Sequence, residues 1–148
     1  MIREILFFEP KNNGTDIKNA LEYLNDVVKR KAVVFLISDF INEGYERMLR
    51  ITNKRHDLIS IILDDPRERD MPECGIVRLR DAETGHDLEI DTGDYYFKKV
   101  WHKKIEEVIN SRNKLLRSSG IDSITITTDA SYVEPLIKFF KLRERRLR

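Results

Sequence analysis

Two apolar runs in this chain end in carboxylates. Val33-Val34-Phe35-Leu36-Ile37 is followed by Ser38-Asp39, and Leu58 to Leu63 by Asp64-Asp65-Pro66. A third run, Ile121 to Thr127, ends in Thr128-Asp129. If these runs are parallel strands, their oxygen donors gather beyond one sheet edge, where open α/β sheets form their sites. The turn Asn13-Gly14-Thr15-Asp16 stands before a helical pattern, and such loops commonly lie on the same edge. Oxygen donors collected this way suit a hard cation such as Mg²⁺, which keeps several waters and takes one or two protein ligands. Each residue also has a plainer explanation. Thr15 fits a helix N-cap, Asp39 a turn or cap, and Asp64-Asp65-Pro66 a strand-ending turn.

The same carboxylates admit a second chemistry. Asp39, Asp64 and Asp65 could serve a small Mg-dependent phosphoesterase or phosphotransfer domain. That chemistry needs a basic phosphate-orienting residue or a Gly-rich cradle beside them, and neither is evident in the sequence. Other chemistries find less. His56, His86 and His102 lie far apart with Cys74 alone between them, so zinc-ligand spacing is missing. No G-x-S-x-G, Walker A or G-x-G-x-x-G pattern occurs. Trp101 and Tyr95-Tyr96-Phe97 read as core and rim of a long helix rather than as a stacking platform.

The elements that must position these residues follow from periodicity. Ile2 to Phe8 is a short apolar patch closed by Glu9-Pro10, and Lys11 to Gly14 is a turn cluster. Ile17, Ala20, Leu21, Leu24, Val27 and Val28 recur at helical spacing. Val33 to Ile37 is a continuous β-branched and aromatic run, as expected of a strand buried on both faces. A helix is expected over Glu43 to Lys54, with Tyr45, Met48, Leu49 and Thr52 facing inward. A second buried strand spans Leu58 to Leu63, and Arg67 to Gly75 reads as a loop. Ile76 to Arg80 and Leu88 to Asp91 alternate apolar and polar residues around a turn, which predicts a β-hairpin. Asp94 to Ser118 is a long amphipathic helix with Phe97, Val100, Trp101, Ile105, Val108, Ile109, Leu115 and Leu116 on its apolar side. Gly120 is placed as its C-cap. The third strand, Ile121 to Thr127, sets Ile124 and Ile126 on one face. Ser131 and Glu134 form an S-x-x-E capping box for the last helix, with Pro135 harmless in its first turn. Strands alternating with helices predict an α/β fold, a mostly parallel sheet with helices on both faces.

Length and composition agree with that class. At 148 residues the chain is expected to be a single domain able to bury one core. It carries 27 Lys+Arg against 26 Asp+Glu, for a net charge of +1. The sum conceals an asymmetry, since Lys141 to Arg148 holds five cations and one anion and leaves the body at −3. A mildly acidic body argues against nucleic-acid binding. The basic tail reads as the solvated end of a helix, where cations are favoured by the helix dipole. The lone Cys74 cannot pair within the chain, which points to a reducing compartment and hence the cytoplasm. The longest uncharged apolar stretch, Ala32 to Ser38, is far short of the about 20 residues a membrane span needs, and no signal peptide is expected.

Several stretches in order carry a resemblance. Gly14-Thr15-Asp16-Ile17 precedes Ala20-Leu21-Glu22-Tyr23-Leu24, and Val34 to Phe40, Asp65-Pro66-Arg67-Glu68, Val77 to Gly85 and Tyr132 to Leu136 follow, with Phe139-Phe140. These resemble von Willebrand factor A-like domains and, more narrowly, the bacterial domain-of-unknown-function family 58, whose members often accompany MoxR-type AAA+ ATPases. The resemblance implies a metal-ion-dependent adhesion site holding Mg²⁺ or Mn²⁺ at the carboxyl edge, in a non-enzymatic protein-interaction module. Thr15 matches that site's Thr and Asp39 its Asp, while its D-x-S-x-S loop is absent from these residues. The chain is therefore expected to be the C-terminal part of such a domain, lacking the first strand, with an incomplete ion site that binds little Mg²⁺ by itself. The full-length protein could then be membrane-anchored, with this portion cytosolic. In such sheets the missing strand lies beside Val33 to Ile37, so an open edge and a homo-oligomer formed through it are expected.

Overall fold

The computed structural model describes Arg3, Phe7, residues 14–80 and residues 85–147. The apolar patch at 2–8 and the turn cluster that follows it therefore lie almost wholly outside the described residues, as does the hairpin turn at 81–84.

The first described helix, α1 (Ile17–Val27), is capped by Asp16, whose side chain accepts the backbone N–H of Asn19 at 2.8 Å. The cap expected at Thr15 thus falls one residue later, because the Asp carboxylate is in position to accept the N3 amide. Ile17, Leu21 and Asn25 are the buried residues of this helix, and Val27 points outward. Asn25 holds its place in the apolar seam by donating through Nδ2 to Thr52 Oγ1 and to the Leu21 carbonyl, both at 2.7 Å.

Strand β1 (Val33–Ser38) leads through a short loop to α2 (Glu46–Arg55), then to β2 (Asp57–Asp64). The helix starts three residues later than its pattern suggested, since Gly44 sits at φ +79° and Tyr45 occupies the N-cap. A single helical turn, α3 (Pro66–Arg69), interrupts the stretch expected to be loop. Asp65 nucleates it by accepting from Arg67 N at 2.9 Å, with Pro66 at the first helical position.

The hairpin forms as its alternation predicts, with β3 (Ile76–Arg80) antiparallel to β4 (Asp87–Asp91). Its base is closed by buried Thr92, which accepts from Cys74 N and donates to the Gly75 carbonyl, both at 2.8 Å. Asp94 then caps α4 (Tyr95–Ser118), accepting from Tyr96 N at 2.7 Å. Gly120, at φ +63°, turns the chain into β5 (Asp122–Thr127). Ser131 Oγ accepts from Val133 N at 3.4 Å at the start of α5 (Val133–Leu147), two residues on rather than the three that the expected box requires.

Strands β1, β2 and β5 form a parallel sheet in that order. Leu58 and Ile62 join Ile17 and Leu21 of α1, Leu49 of α2 and Leu116 of α4 in one core. Ile59, Ile61 and Ile124 pack against Leu136 and Phe139 of α5 on the other face. Helices therefore cover both faces, as expected of an α/β sheet. Central β2 is buried on both sides, in keeping with its unbroken apolar run. Strand β1 departs from expectation. Val34 and Leu36 pack against the first core, while Val33, Phe35 and Ile37 are exposed on the opposite face. Its only partner among the described residues is β2.

Along α4 the outward residues include Val100 and Val108, and the buried ones are Arg112 and Leu116. The inner line runs Trp101, Ile105, Ile109, Arg112 and Leu116, so a guanidinium occupies a position in the apolar seam. The basic tail also differs from a merely solvated helix end. Arg143 pairs with Asp57 and lies 3.7 Å from Asp122, and Arg146 reaches Asp122 at 3.2 Å. Two acids at the amino ends of β2 and β5 thus receive the cations of α5. Among the described residues, no helix is long and apolar enough to cross a membrane.

Candidate functional site at the carboxyl edge

Parallel pairing sends the carboxyl ends of β1, β2 and β5 to one edge. Ser38-Asp39, Asp64-Asp65 and Thr128-Asp129 emerge there, as their positions in the sequence require. The N-terminus of α1 joins them through a side chain that sequence reasoning overlooked. Asn42 Nδ2, from the loop after β1, donates to the Thr15 carbonyl at 2.7 Å. The segment carrying Thr15 is thereby tied to the loop that carries Asp39.

That loop is closely fixed. Asp39 Oδ1 accepts from Ile41 N at 3.1 Å and from Ser38 Oγ at 3.3 Å, while Ser38 Oγ accepts from Phe40 N at 3.0 Å. Phe40 adopts φ +62°, unusual for a bulky residue, and it is held there by burial against Tyr45 at 5.9 Å between rings. From beneath, Arg112 Nη1 donates to the Asp39 carbonyl at 3.0 Å. The carboxylate of Asp39 is left at an exposed position on a rigid turn.

The other two aspartates have structural partners. Asp64 is buried and accepts from Arg69 Nη2 at 2.7 Å, while its carbonyl accepts from Thr128 N at 3.1 Å. Asp65 caps α3. Asp129 stays exposed, and with Thr128 it lines a shallow cleft shared with Asp65, Pro66 and Arg67.

Charge at this edge is shared among several groups. Partial desolvation, then the negative charges of Asp39, Asp65 and Asp64, push the Glu68 carboxyl above its ordinary range. Burial lowers the Arg112 guanidinium from its ordinary value, and Arg69 pushes the same way, while Asp64, Tyr45 and Asp39 act to keep it charged. Burial likewise raises the Tyr45 hydroxyl, with Glu46 and Asp39 adding to the shift and Arg112 opposing it. Two cations, Arg69 and Arg112, thus stand among the carboxylates. Arg112 could have been suspected from its place in the helical seam between Ile109 and Leu116. Nothing in the sequence marked Arg69 or Asn42.

Thr15 and Asp39 can offer a hydroxyl and a carboxylate to a cation. Among the described residues, no group of three or more His, Cys, Asp or Glu side chains is placed to hold a metal ion. With Asp64 held by Arg69 and Asp65 engaged as a cap, the donors present do not fit a complete ion site.

The fold and edge define an α/β protein with a three-stranded parallel sheet and an acidic, arginine-braced carboxyl edge. The chain belongs to the family described as protein of unknown function DUF58, whose model matches residues 1–110. It is 30% identical over 131 residues to an uncharacterized protein of Mycobacterium avium, covering 88% of this chain and 77% of that one. It is 26% identical over 136 residues to uncharacterized proteins of Mycobacterium tuberculosis and Mycobacterium bovis. Those matches cover 88% of this chain and 41% of each relative. No solved structure matches the chain.

Proposed function

We propose that this chain is a non-enzymatic protein-interaction module that uses its carboxyl edge, with Thr15 and Asp39 as the residues presented to a partner. The observation that carries the reading is the Asn42–Thr15 hydrogen bond, which ties two loops separate in sequence at one end of the sheet. The rigid Asp39 turn supports it, because a recognition carboxylate gains from being held before the partner arrives. The resemblance to von Willebrand factor A-like domains adds a role for Mg²⁺ or Mn²⁺, coordinating an acidic side chain of the partner when the ion is bound. These residues alone supply two of that site's donors, so affinity of the isolated chain for Mg²⁺ should be poor. A MoxR-type AAA+ ATPase is the proposed partner and the cytoplasm the proposed setting.

The test is binding of the chain to a MoxR-type ATPase by surface plasmon resonance, with and without Mg²⁺. Asp39→Asn and Thr15→Ala should each weaken binding while leaving the thermal midpoint near that of the parent. Undiminished binding by both variants would reject the edge as the contact.

The phosphoesterase reading gains one observation, the presence of Arg69 and Arg112 among Asp39, Asp64 and Glu68. Both guanidinium groups are, however, engaged with protein acceptors, Arg69 on Asp64 and Arg112 on the Asp39 carbonyl. Mg-dependent hydrolysis of p-nitrophenyl phosphate, abolished by Asp39→Asn, would reverse the order of the two readings.

A further inference from the structure

We propose that the groove between α2 and α4 binds a small carboxylic acid with an apolar body, its carboxylate accepting from Arg112 at the inner wall. The groove has a volume of about 560 Å³ and runs from the loop after β1 to Ser118 at the end of α4. That size suits a small molecule. It lies on the side of the sheet covered by α1, α2 and α4, opposite the face on which Val33, Phe35 and Ile37 are exposed. Its walls are partly apolar. Phe40 and Tyr45, both buried, contribute from the loop, and Val108 and Leu115 from α4.

Two independent observations select an anion. The first is Arg112, which lines the groove although it is only 7% exposed. Its Nη1 donates to the Asp39 carbonyl, while its Nε is buried with no acceptor. Asp64, whose charge acts on the same guanidinium, already accepts from Arg69. An unmet donor on a buried cation costs free energy, and a carboxylate supplies the missing acceptor with two oxygens matched to the guanidinium fork. The second observation is the start of α2. Gly44, Tyr45 and Glu46 line the same groove, and Tyr45 occupies the N-cap without a side-chain bond to the first turn. The positive end of a ten-residue helix thus opens there without a capping side chain. Charge sets the valence of the ligand. Arg50, Arg112 and Lys114 line the groove against Glu43 and Glu46, three cations to two anions. A single negative charge balances that excess, whereas a phosphate dianion would exceed it and meet repulsion from both glutamates.

This inference does not rest on the proposed function, and its experiment reads small-molecule binding rather than partner or ion binding. Phenylacetate is titrated into the isotope-labelled chain and followed by amide chemical shifts, with phenylacetamide as its neutral isostere and inorganic phosphate as a second anion. Saturable shifts are expected at Gly44, Tyr45, Val108 and Leu115, with a Kd on the order of 1 mM. Phenylacetamide should bind about tenfold or more weakly, since it lacks the charge that Arg112 recognises. Arg112→Met should weaken phenylacetate binding by a similar factor. Because Arg112 also braces the Asp39 turn, a second variant acts by bulk alone. Ser111→Trp fills the groove from an exposed position on α4 and should abolish binding, with circular dichroism and thermal midpoint near those of the parent. Asp39→Asn should not weaken binding, which separates the groove from the carboxyl edge. Equal affinity for acid and amide, or saturation by phosphate at similar concentrations, would overturn the proposal. Undiminished binding by both Arg112→Met and Ser111→Trp, or parent shifts that never saturate, would do so as well.

Discussion

Arg112 Nη1 donates to the backbone carbonyl of Asp39 at 3.0 Å, joining the long helix α4 to the turn that presents the candidate site. The guanidinium is almost fully buried, and Asp64 and Asp39 act to keep it charged. Replacing it by Met keeps the length of the side chain and removes the donor. A hydrogen bond from a charged group contributes about 2 kcal/mol, so Arg112→Met should lower the urea midpoint by a corresponding amount. It should also speed amide exchange at Ile41, whose N–H rests on the Asp39 carboxylate. Unchanged exchange there would mean that the turn holds its shape without Arg112.

Glu68 gives the edge a pH dependence whose sign can be stated in advance. Its carboxyl is raised by partial desolvation and by Asp39, Asp65 and Asp64. The folded state therefore binds its proton more tightly than the unfolded state does. Stability contributed by the protonated form is fully present below the unfolded carboxyl range and is lost as pH climbs through the raised folded value. Glu68→Gln should accordingly stabilise the protein modestly at neutral pH and flatten that part of the profile. The gain stays small because the residue is exposed and solvent screens its neighbours. Thermal midpoints of parent and variant from pH 4 to 8 check this, and parallel curves would refute it.

The buried pair Asn25–Thr52 joins α1 to α2 through a 2.7 Å hydrogen bond. Thr52→Val removes the acceptor without changing shape and leaves the Asn25 amide with its Leu21 contact alone. The expected cost is about 1–2 kcal/mol in a denaturation series. Adding Asn25→Leu should recover part of it, because removing both partners of a buried polar pair is milder than removing one. A double variant less stable than the single Thr52→Val would argue that Asn25 fills a place no apolar side chain can take.

What could be read from the sequence follows from which forces act locally. Periodicity placed β2, the hairpin, α4 and β5 well, because each buries residues in a pattern that survives in one dimension. It misjudged the burial of β1, since an unbroken apolar run does not tell whether one face of a strand or both are covered. What covers a strand face is a long-range property. Composition likewise found the candidate carboxylates but not their neighbours. Arg69 and Arg112 reach the edge from α3 and α4, and Asn42 links α1 to the β1 loop across 27 residues. The N-cap at Asp16 rather than Thr15 shows the local limit, since two adjacent capping types cannot be ranked by type alone.

The C-terminal helix tests how far charge can act when only partly shielded. Arg143 pairs with Asp57, lies 3.7 Å from Asp122, and has its guanidinium carbon 6.0 Å above the Phe139 ring. Its side chain is 20% exposed, so the pair is less screened than a surface ion pair but not desolvated. The amino ends of β2 and β5 each carry one of the two acids, so Arg143 also bridges neighbouring strands. Arg143→Met should keep an apolar contact near Phe139 and cost about 1–2 kcal/mol, since Asp57 loses its charged donor and Asp122 a nearby cation. In a double-mutant cycle with Asp57→Asn, the two losses should fall short of adding, by about 0.5 kcal/mol or more. Raising NaCl to about 1 M shortens the screening length to about 3 Å and should shrink that coupling without abolishing it. Strict additivity at low salt would show that the Arg143–Asp57 pair contributes nothing measurable, leaving apolar packing and the Arg146–Asp122 pair to anchor α5.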